Sequence, residues 1–344
     1  MKKAFLAMAI VCLSFSTAAE QAYLAPLVKQ SVLLDVVASE YLVIVGERGH
    51  ILTSNDGEEF TQQSVPTHST LTAVDIVGNN VWAVGHDAII LHSPDKGINW
   101  QKQYYNPDIE RPFLDVLFFD EKHGIAVGAY GLFYRTMNGG ESWESERHPT
   151  LLSADDQAYL EQIREEDEDF YQQELNSILP HINRVTLDGD VLYMAGEAGL
   201  LAYSNDKGKT WQRYEVDYTG SFFDIRPISD DTVVAVGLRG NIFKMENQGE
   251  WEYVSTCSTS TLNSLLPLSN DAITAMGNNG ILVTIDRPLP DSSDTPYTPI
   301  YQCERPKEVS VQQLDDKAAV LNAVRFNNKI IGVSANGIKK LNLD

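Results

Sequence analysis

From residue 41 onward the chain repeats one arrangement of apolar and polar positions. A β-branched or aromatic run alternates side to side and ends in glycine, a two-residue polar turn follows, then a second β-rich run, then a polar octamer ending in an aromatic residue. The clearest versions read NVWAVGHDAIILHSPDKGINW and VLYMAGEAGLLAYSNDKGKTW. Strict alternation, as in Val81 and Ala83 against Trp82 and Val84, predicts strands rather than helices. Seven such phrases follow one another. Their glycine anchors are Gly46, Gly85, Gly128, Gly196, Gly237 and Gly277, with Ser334 in the seventh place, and the gaps are 39, 43, 68, 41, 40 and 57 residues. Four gaps near 40 match one four-stranded propeller blade, and the two long ones hold insertions at about 150–181 and 286–319. The seventh phrase stops at Asp344 after its third strand, so a strand from Tyr23 to Val28 is expected to supply the fourth and close the ring. The predicted fold is an all-β, seven-bladed propeller over 20–344.

The turn between the second and third strands carries a second glycine (Gly49, Gly131, Gly199, Gly240, Gly280, Gly337) suited to a positive φ. Because this GxxG recurs between strands and opens no helix, it is no phosphate cradle.

The octamers are the other fixed element. In SPDKGINW, Ser93 and Asp95 are placed to bond local backbone N–H groups, Gly97 takes the strained turn position, and Trp100 opens the next strand and packs inward. Ser204, Asp206, Gly208 and Trp211 repeat this. Thr136, Asn138, Gly140 and Trp143 form a looser copy, SNDGEEF is one residue short, and MENQGEW keeps Gly249 and Trp251 without the carboxylate. The pattern is the Asp-box, or bacterial neuraminidase repeat, and its carboxylate is expected to be structural.

The first twenty residues change the picture of where the protein works. Lys2 and Lys3, the apolar run Ala4–Phe15 and the small residues Thr17-Ala18-Ala19 read as a secretory signal peptide over 1–19, cleaved near Ala19. No later apolar run approaches the roughly 18 residues that span a bilayer. The expected product is exported, periplasmic and not membrane-embedded. Net charge is −22, and −24 without Lys2 and Lys3. Such an acid excess argues against nucleic acid as a partner. Cys12 lies within the signal peptide. Cys257 and Cys303 remain, an even pair in an exported protein, and are expected to form a disulfide.

Candidate binding residues sit on the second-to-third-strand turns, the loops that line a propeller's ligand funnel: Arg48, His86, Asp87, Tyr130, Glu197, Arg239 and Asn279. His86 beside Asp87 could serve a general base, but no serine or cysteine nucleophile is indicated nearby. The remaining histidines (His50, His68, His92, His123, His148, His181) show no ligand spacing, so neither metal nor cofactor is expected.

The first insertion reads as a helix. Ser153 with Asp156 three residues on is a capping-box-like start, Pro180 ends it, and Tyr159, Leu160, Ile163, Phe170, Leu175, Ile178 and Leu179 form an imperfect apolar stripe opposed by Glu165–Asp169. It is either a lid on its own propeller or an acidic docking helix. The second insertion is Pro-rich and extended. Both are expected on the funnel face.

Taken whole, the VGxxGxIL phrase, the Asp-box about eight residues on and the seven blades resemble the photosystem II stability/assembly factor family across essentially the mature chain. The resemblance implies a non-catalytic, monomeric propeller that binds a protein and aids assembly of a membrane complex. Two features depart from the photosynthetic pattern. Only Arg48 and Arg239 occupy the turns where those members present an arginine-rich patch, and the acidic insertion is foreign to the compact form. Sialidases share the Asp-box and give the alternative of a carbohydrate-active propeller, hydrolase or lectin. Their F-R-I-P motif is represented here only by FDIRP (Phe223–Pro227), in the wrong order and in the fifth repeat. A photosystem II assembly factor proper is the third reading.

Overall fold

A computed structural model describes residues 21–269 and 272–343; the expected signal peptide lies outside the described residues. Six four-stranded antiparallel sheets and one three-stranded sheet follow one another along the chain, each in simple sequence order. Their innermost strands begin at Leu33, Leu71, Phe113, Ile182, Phe222, Leu262 and Val320. Each inner strand packs on the next, and the seventh packs on the first. The core fills the spaces between sheets: Val43, Val45 and Ile51 of blade 1, for instance, meet Leu71, Val81 and Ile89 of blade 2. Strands buried on both faces explain why the second strands, such as LVIVG or TVVAVG, are predominantly apolar and do not alternate with polar residues.

Side chains on the inner strands stitch every junction between blades. Going round the ring, Asp35 accepts Val74 N–H at 3.0 Å, Thr72 donates to Phe113 O at 2.7 Å and Asp115 accepts Val185 N–H at 2.7 Å. Asn183 donates to Phe222 O at 2.7 Å, Asp224 accepts Leu265 N–H at 2.8 Å and Asn263 donates to Val320 O at 3.0 Å. Asn322 then returns to Asp35 at 2.5 Å. Buried backbone groups that no strand neighbour can reach are thereby paired.

Closure takes a different form from the expected one. Residues 21–27 form no strand, and Val28–Gln30 is a single 3-10 turn. This segment packs through Val28 and Ala25 against Ile338 and Phe60, but the seventh sheet keeps three strands. Ala22 N–H bonds Val65 O, and Gln62 holds both Tyr23 O and Ala25 N–H. Those backbone groups are committed to blade 1 and its outer strand, which leaves them unable to form a ladder with blade 7.

Each Asp-box is a turn between the third and fourth strands. In the second blade Ser93 Oγ accepts Gly97 N–H at 3.0 Å and Asp95 accepts Asn99 N–H at 2.8 Å, while Trp100 Nε1–H donates to Gly97 O at 2.7 Å. Ser204 and Asp206 do the same for Gly208 and Thr210, and Thr136 and Asn138 for Gly140 and Ser142. Trp211 is buried, whereas Trp100 and Trp143 are half-buried. Ser204→Ala leaves the buried Gly208 N–H without an acceptor, with an expected loss of about 1–2 kcal/mol in urea unfolding. An unchanged midpoint would show that the box does not hold its turn.

Candidate funnel-face binding surface

The turns between second and third strands and the connections from one blade to the next share one face of the ring. The turns of the first six blades follow the same local rule. In Glu47–His50, Arg48 and Gly49 both have positive φ (55° and 72°), and His50 N–H closes on Glu47 O. This is the left-handed two-residue turn that matches strand twist. It places one side chain at the tip in a conformation unfavourable for any residue but glycine or asparagine. Arg48, Asp87, Tyr130, Ala198, Arg239 and Asn279 all occupy that position. Strain of this kind, repeated around one face, is a feature of binding surfaces.

The tips do not converge on one constellation. Arg48 is exposed and pairs loosely with Glu47 at 3.9 Å. Asp87 accepts from Ser69 Oγ at 2.6 Å, and no hydrogen bond joins it to the exposed His86. Asn279 donates to Ser260 and its carbonyl accepts from Gln313. Only Tyr130 and Glu197 are brought together, through His181. That ring lies edge-on to Tyr130 at 4.5 Å, and its Nδ1 is 3.3 Å from the Glu197 carboxylate. A cleft of about 180 Å³ adjoins them beneath the first insertion.

That insertion is two helices, not one: α1 (Ala154–Glu166) and α2 (Glu168–Ile178). Ser153 caps the first by accepting Asp156 N–H, and Asp167 starts the second by accepting Phe170 N–H. The acidic run Glu165–Asp169 therefore forms the hinge, where repelling carboxylates reach solvent, instead of one face of a long helix. Leu160 and Leu175 meet Leu152 and Leu179 in a small core, while Tyr159 and Phe170 stay exposed. Three arginines fasten the base of the hairpin by binding carbonyl or amide oxygens: Arg111 to Asn176 O, Arg147 to Asn176 Oδ1 and Arg213 to Leu151 O. Gly131 is required at the contact, since a Cβ there would meet Leu179 at 2.5 Å and φ is 65°.

The second insertion departs further from expectation. Residues 309–313 are the outer strand of blade 6 and pair with Ile281–Asp286, so the inserted segment is 287–308 and connects third strand to fourth. Its roots therefore lie on the Asp-box face. Arg287 binds Ile228 O and Ser229 Oγ there. The segment then climbs the flank of blade 5 as a strap. Leu289 enters the core, and the buried ammonium of Lys244 is held by Leu289 O and by Asp291 at 2.7 Å. Asp294 accepts from Ser255, and the Cys303 sulfur lies at 2.06 Å from that of Cys257. Only the end of the strap reaches the funnel face. Cys257, Asp294 and Cys303 are the one group of potential metal ligands gathered among the described residues, but both sulfurs are consumed by each other.

The ring's axis holds a site that the sequence reading missed. Arg184 lies 3.3 Å from Asp115, 3.7 Å from Asp224 and 3.9 Å from Asp35, beside a cavity of about 320 Å³. Burial pushes Asp115 up to about 6 despite this guanidinium, and pushes Asp75 up to about 7 against the N–H groups of Phe118 and Ile76 that bind it. The signal was present in LLDVV, FLDVL, FFDIR and VLNAV, where Asp or Asn recurs at the third place of the inner strand. These carboxylates bind backbone N–H groups, Arg184 and, 3.2 Å from Asp224, Arg226, an arrangement that joins blades.

Comparison with known proteins places these features in a family. The sequence pattern of the family described as Photosynthesis system II assembly factor YCF48 matches residues 20–109 and 103–256. The photosystem II assembly lipoprotein Ycf48 of Prochlorococcus marinus is 31% identical over 150 residues, covering 38% of this chain and 44% of that protein. The chloroplastic stability/assembly factor HCF136 of Oryza sativa subsp. japonica is 25% identical over 115 residues, covering 31% and 28%. The alignments thus span less than half the length of these curated relatives. Among solved structures, YCF48 from Cyanidioschyzon merolae superposes with a TM-score of 0.65 at 19% identity, over 93% of this chain and 97% of that one. YCF48 bound to D1 peptide gives 0.61 at 15% identity, over 90% and 92%. With more than half of its length matched by the family pattern, the chain belongs to the photosystem II assembly factor YCF48 family.

Proposed function

We propose that this protein is an exported, monomeric, non-catalytic propeller that binds a protein through its funnel face and aids assembly or stability of an envelope or membrane complex. The carrying observation is where apolar surface is left exposed. Of the thirteen exposed large hydrophobic side chains among the described residues, seven stand out on that face, Tyr105, Tyr130, Tyr159, Phe170, Tyr297, Ile300 and Tyr301, and Tyr23, Leu24 and Leu27 lie on the N-terminal segment. The Asp-box face shows Ile98, Met137 and Leu187. Aromatic side chains on a rigid, strained rim are the usual anchors of protein recognition. A relative caught with the D1 peptide supports a polypeptide as ligand. The carbohydrate-active alternative needs free paired carboxylates, and the clustered ones here are buried on Arg184 and backbone N–H groups. Arg48 and Arg239 are the arginines at the turn tips, which favours a client other than that of the photosynthetic relatives. Export follows cleavage near Ala19.

The test is recovery of the tagged mature protein from solubilised envelope after mild crosslinking, beside a version in which 153–179 is a short Gly-Ser linker. Specific membrane proteins should co-purify with the intact form and fall at least about tenfold with the deletion. Equal recovery by both makes the hairpin only a lid. Recovery by neither rejects the scaffold reading.

A further inference from the structure

The strap creates a second cleft on the funnel face, about 320 Å³ in volume, between itself and the turn of blade 5. Arg239 stands on one side, Pro296, Tyr297 and Ile300 on the other, and Ser258 and Thr259 complete the lining. Three observations set it apart from the other hollows of that face.

The first is charge. The chain has twelve arginines. Ten of them hold a carboxylate, a carbonyl or another polar group of a described residue, as Arg111, Arg135 and Arg213 do. Arg239 and Arg305 have no hydrogen bond, ion pair or ring contact with a described residue. Arg239 lines this cleft, and Arg305 follows Cys303 by two residues. In a molecule of net charge −22, where carboxylates outnumber cations, an arginine left unpaired beside a cleft is complementary to an anion from outside.

The second is the apolar wall. Tyr297, 59% exposed, and Ile300, 52%, line the cleft and still face solvent, and Tyr301, 81% exposed, stands beside it outside the lining. They are not part of a loose tail. The strap is pinned below by Lys244 and above by Asp294, whose carboxylate accepts from both Ser255 Oγ and Glu304 N–H.

The third is how the wall is held. Among the described residues, every hydrogen bond of 295–302 stays inside the strap, as in Thr298 N–H to Thr295 O and Gln302 N–H to Pro299 O. The wall therefore depends on its two ends, Asp294 and the bond from Cys303 to Cys257.

We propose that this cleft takes an extended polypeptide segment in which a carboxylate side chain neighbours an aromatic or aliphatic one, and that it does so only while Cys257 and Cys303 are joined. The carboxylate sits on the guanidinium of Arg239 and the apolar side chain against Tyr297 and Ile300, while the Ser258 and Thr259 hydroxyls face the segment's backbone. A free carboxylate without an apolar neighbour fills only half the site, and a basic segment is repelled by Arg239. The proposal rests on the reading of the funnel face as a protein-binding surface and narrows it to one partner chemistry.

Fluorescence anisotropy with a labelled, C-terminally amidated hexapeptide, Gly-Phe-Asp-Leu-Pro-Gly, tests this beside its Asn and Lys analogues. The Asp peptide should bind at least about tenfold tighter than the Asn peptide, and the Lys peptide weakest of all. Arg239→Gln should remove that preference. The double variant Cys257→Ser/Cys303→Ser should lose binding while its thermal transition shows that the propeller is still folded, and mild reduction of the native protein should do the same. Equal binding of the Asp and Asn peptides, unchanged binding by either variant, or no binding of the Asp peptide up to about 5 mM overturns the proposal. Repeating the envelope crosslinking with Arg239→Gln separates the two readings. Clients retained by that variant leave the scaffold standing and remove this cleft from it; peptide binding without any envelope client does the reverse.

Discussion

Arg184→Met should cost about 3–5 kcal/mol of stability at pH 8, the usual consequence of removing one member of a buried ion cluster. The methionine fills similar volume, so the loss comes from charge and not from a hole. Asp35, Asp115 and Asp224, all nearly inaccessible, would then share only Arg226, which stays 3.2 Å from Asp224 and leaves Asp35 and Asp115 without a cation. The same three carboxylates bind N–H groups or the amide of neighbouring blades, so the strain falls on the junctions and should appear as early loss of the ring. Two further measurements guard against a trivial folding defect. The deficit should shrink as pH is lowered to 5, because protonation supplies the neutralisation that Arg184 provided. Adding Asp115→Asn to Arg184→Met should recover a substantial part of it at pH 8. A deficit that is independent of pH and is not relieved by the second change would mean that Arg184 acts by packing alone.

Asp75 should make the native protein lose stability between pH 5 and pH 8, against the opposite contribution of His50, His92 and His148, whose imidazoles burial holds below the usual value. Asp75 titrates near 7 in the folded chain and near 3.8 when unfolded, so between those values the folded state holds a proton that the unfolded state has released. The contribution of this group to the unfolding free energy therefore falls as pH rises from about 4 to about 7 and is level above it. Asp115, raised to about 6, adds in the same direction. The full shift of Asp75 would correspond to roughly 4 kcal/mol, but the side chain is partly open to the channel, and about 2 kcal/mol is expected. Asp75→Asn keeps an acceptor for Phe118 N–H and should be more stable than the native protein at pH 8 by that amount, with little difference at pH 5. Urea unfolding of both proteins across this range checks it; a difference between Asp75→Asn and the native protein that does not grow from pH 5 to pH 8 would refute the assignment.

The sheets were legible because propeller blades are local structures. Two-fold alternation and turn glycines act within forty residues, and side chains such as Ser204 and Asp206 bond groups only a few positions away. Boundaries of the first insertion were also close, since Ser153 caps its own helix. Its interior was misjudged: a run of five acids looks alike on a helix face and at a hinge, and only the meeting of Leu160 with Leu175 separates the two. The second insertion was misplaced for a related reason. A gap of 57 residues shows how much chain is added but not whether it precedes or follows the outer strand, and Val309–Gln313 is recognisable only by its pairing with Ile281–Asp286.

By itself, then, the sequence determined the number of blades, the order of the first three strands in each, the turns that present Arg48, Asp87, Tyr130, Arg239 and Asn279, and the family. The tertiary structure decided what lies between blades and across them. Asp35 and Asn322 are almost the length of the chain apart yet touch; Arg184 finds its three carboxylates in three different blades; Lys244 is covered by a strap from the next one. The physical reason is range. Alternation, capping and turn geometry are settled by neighbours along the chain, whereas the pairing of buried charges and the walls of a cleft exist only once the ring has brought distant strands together.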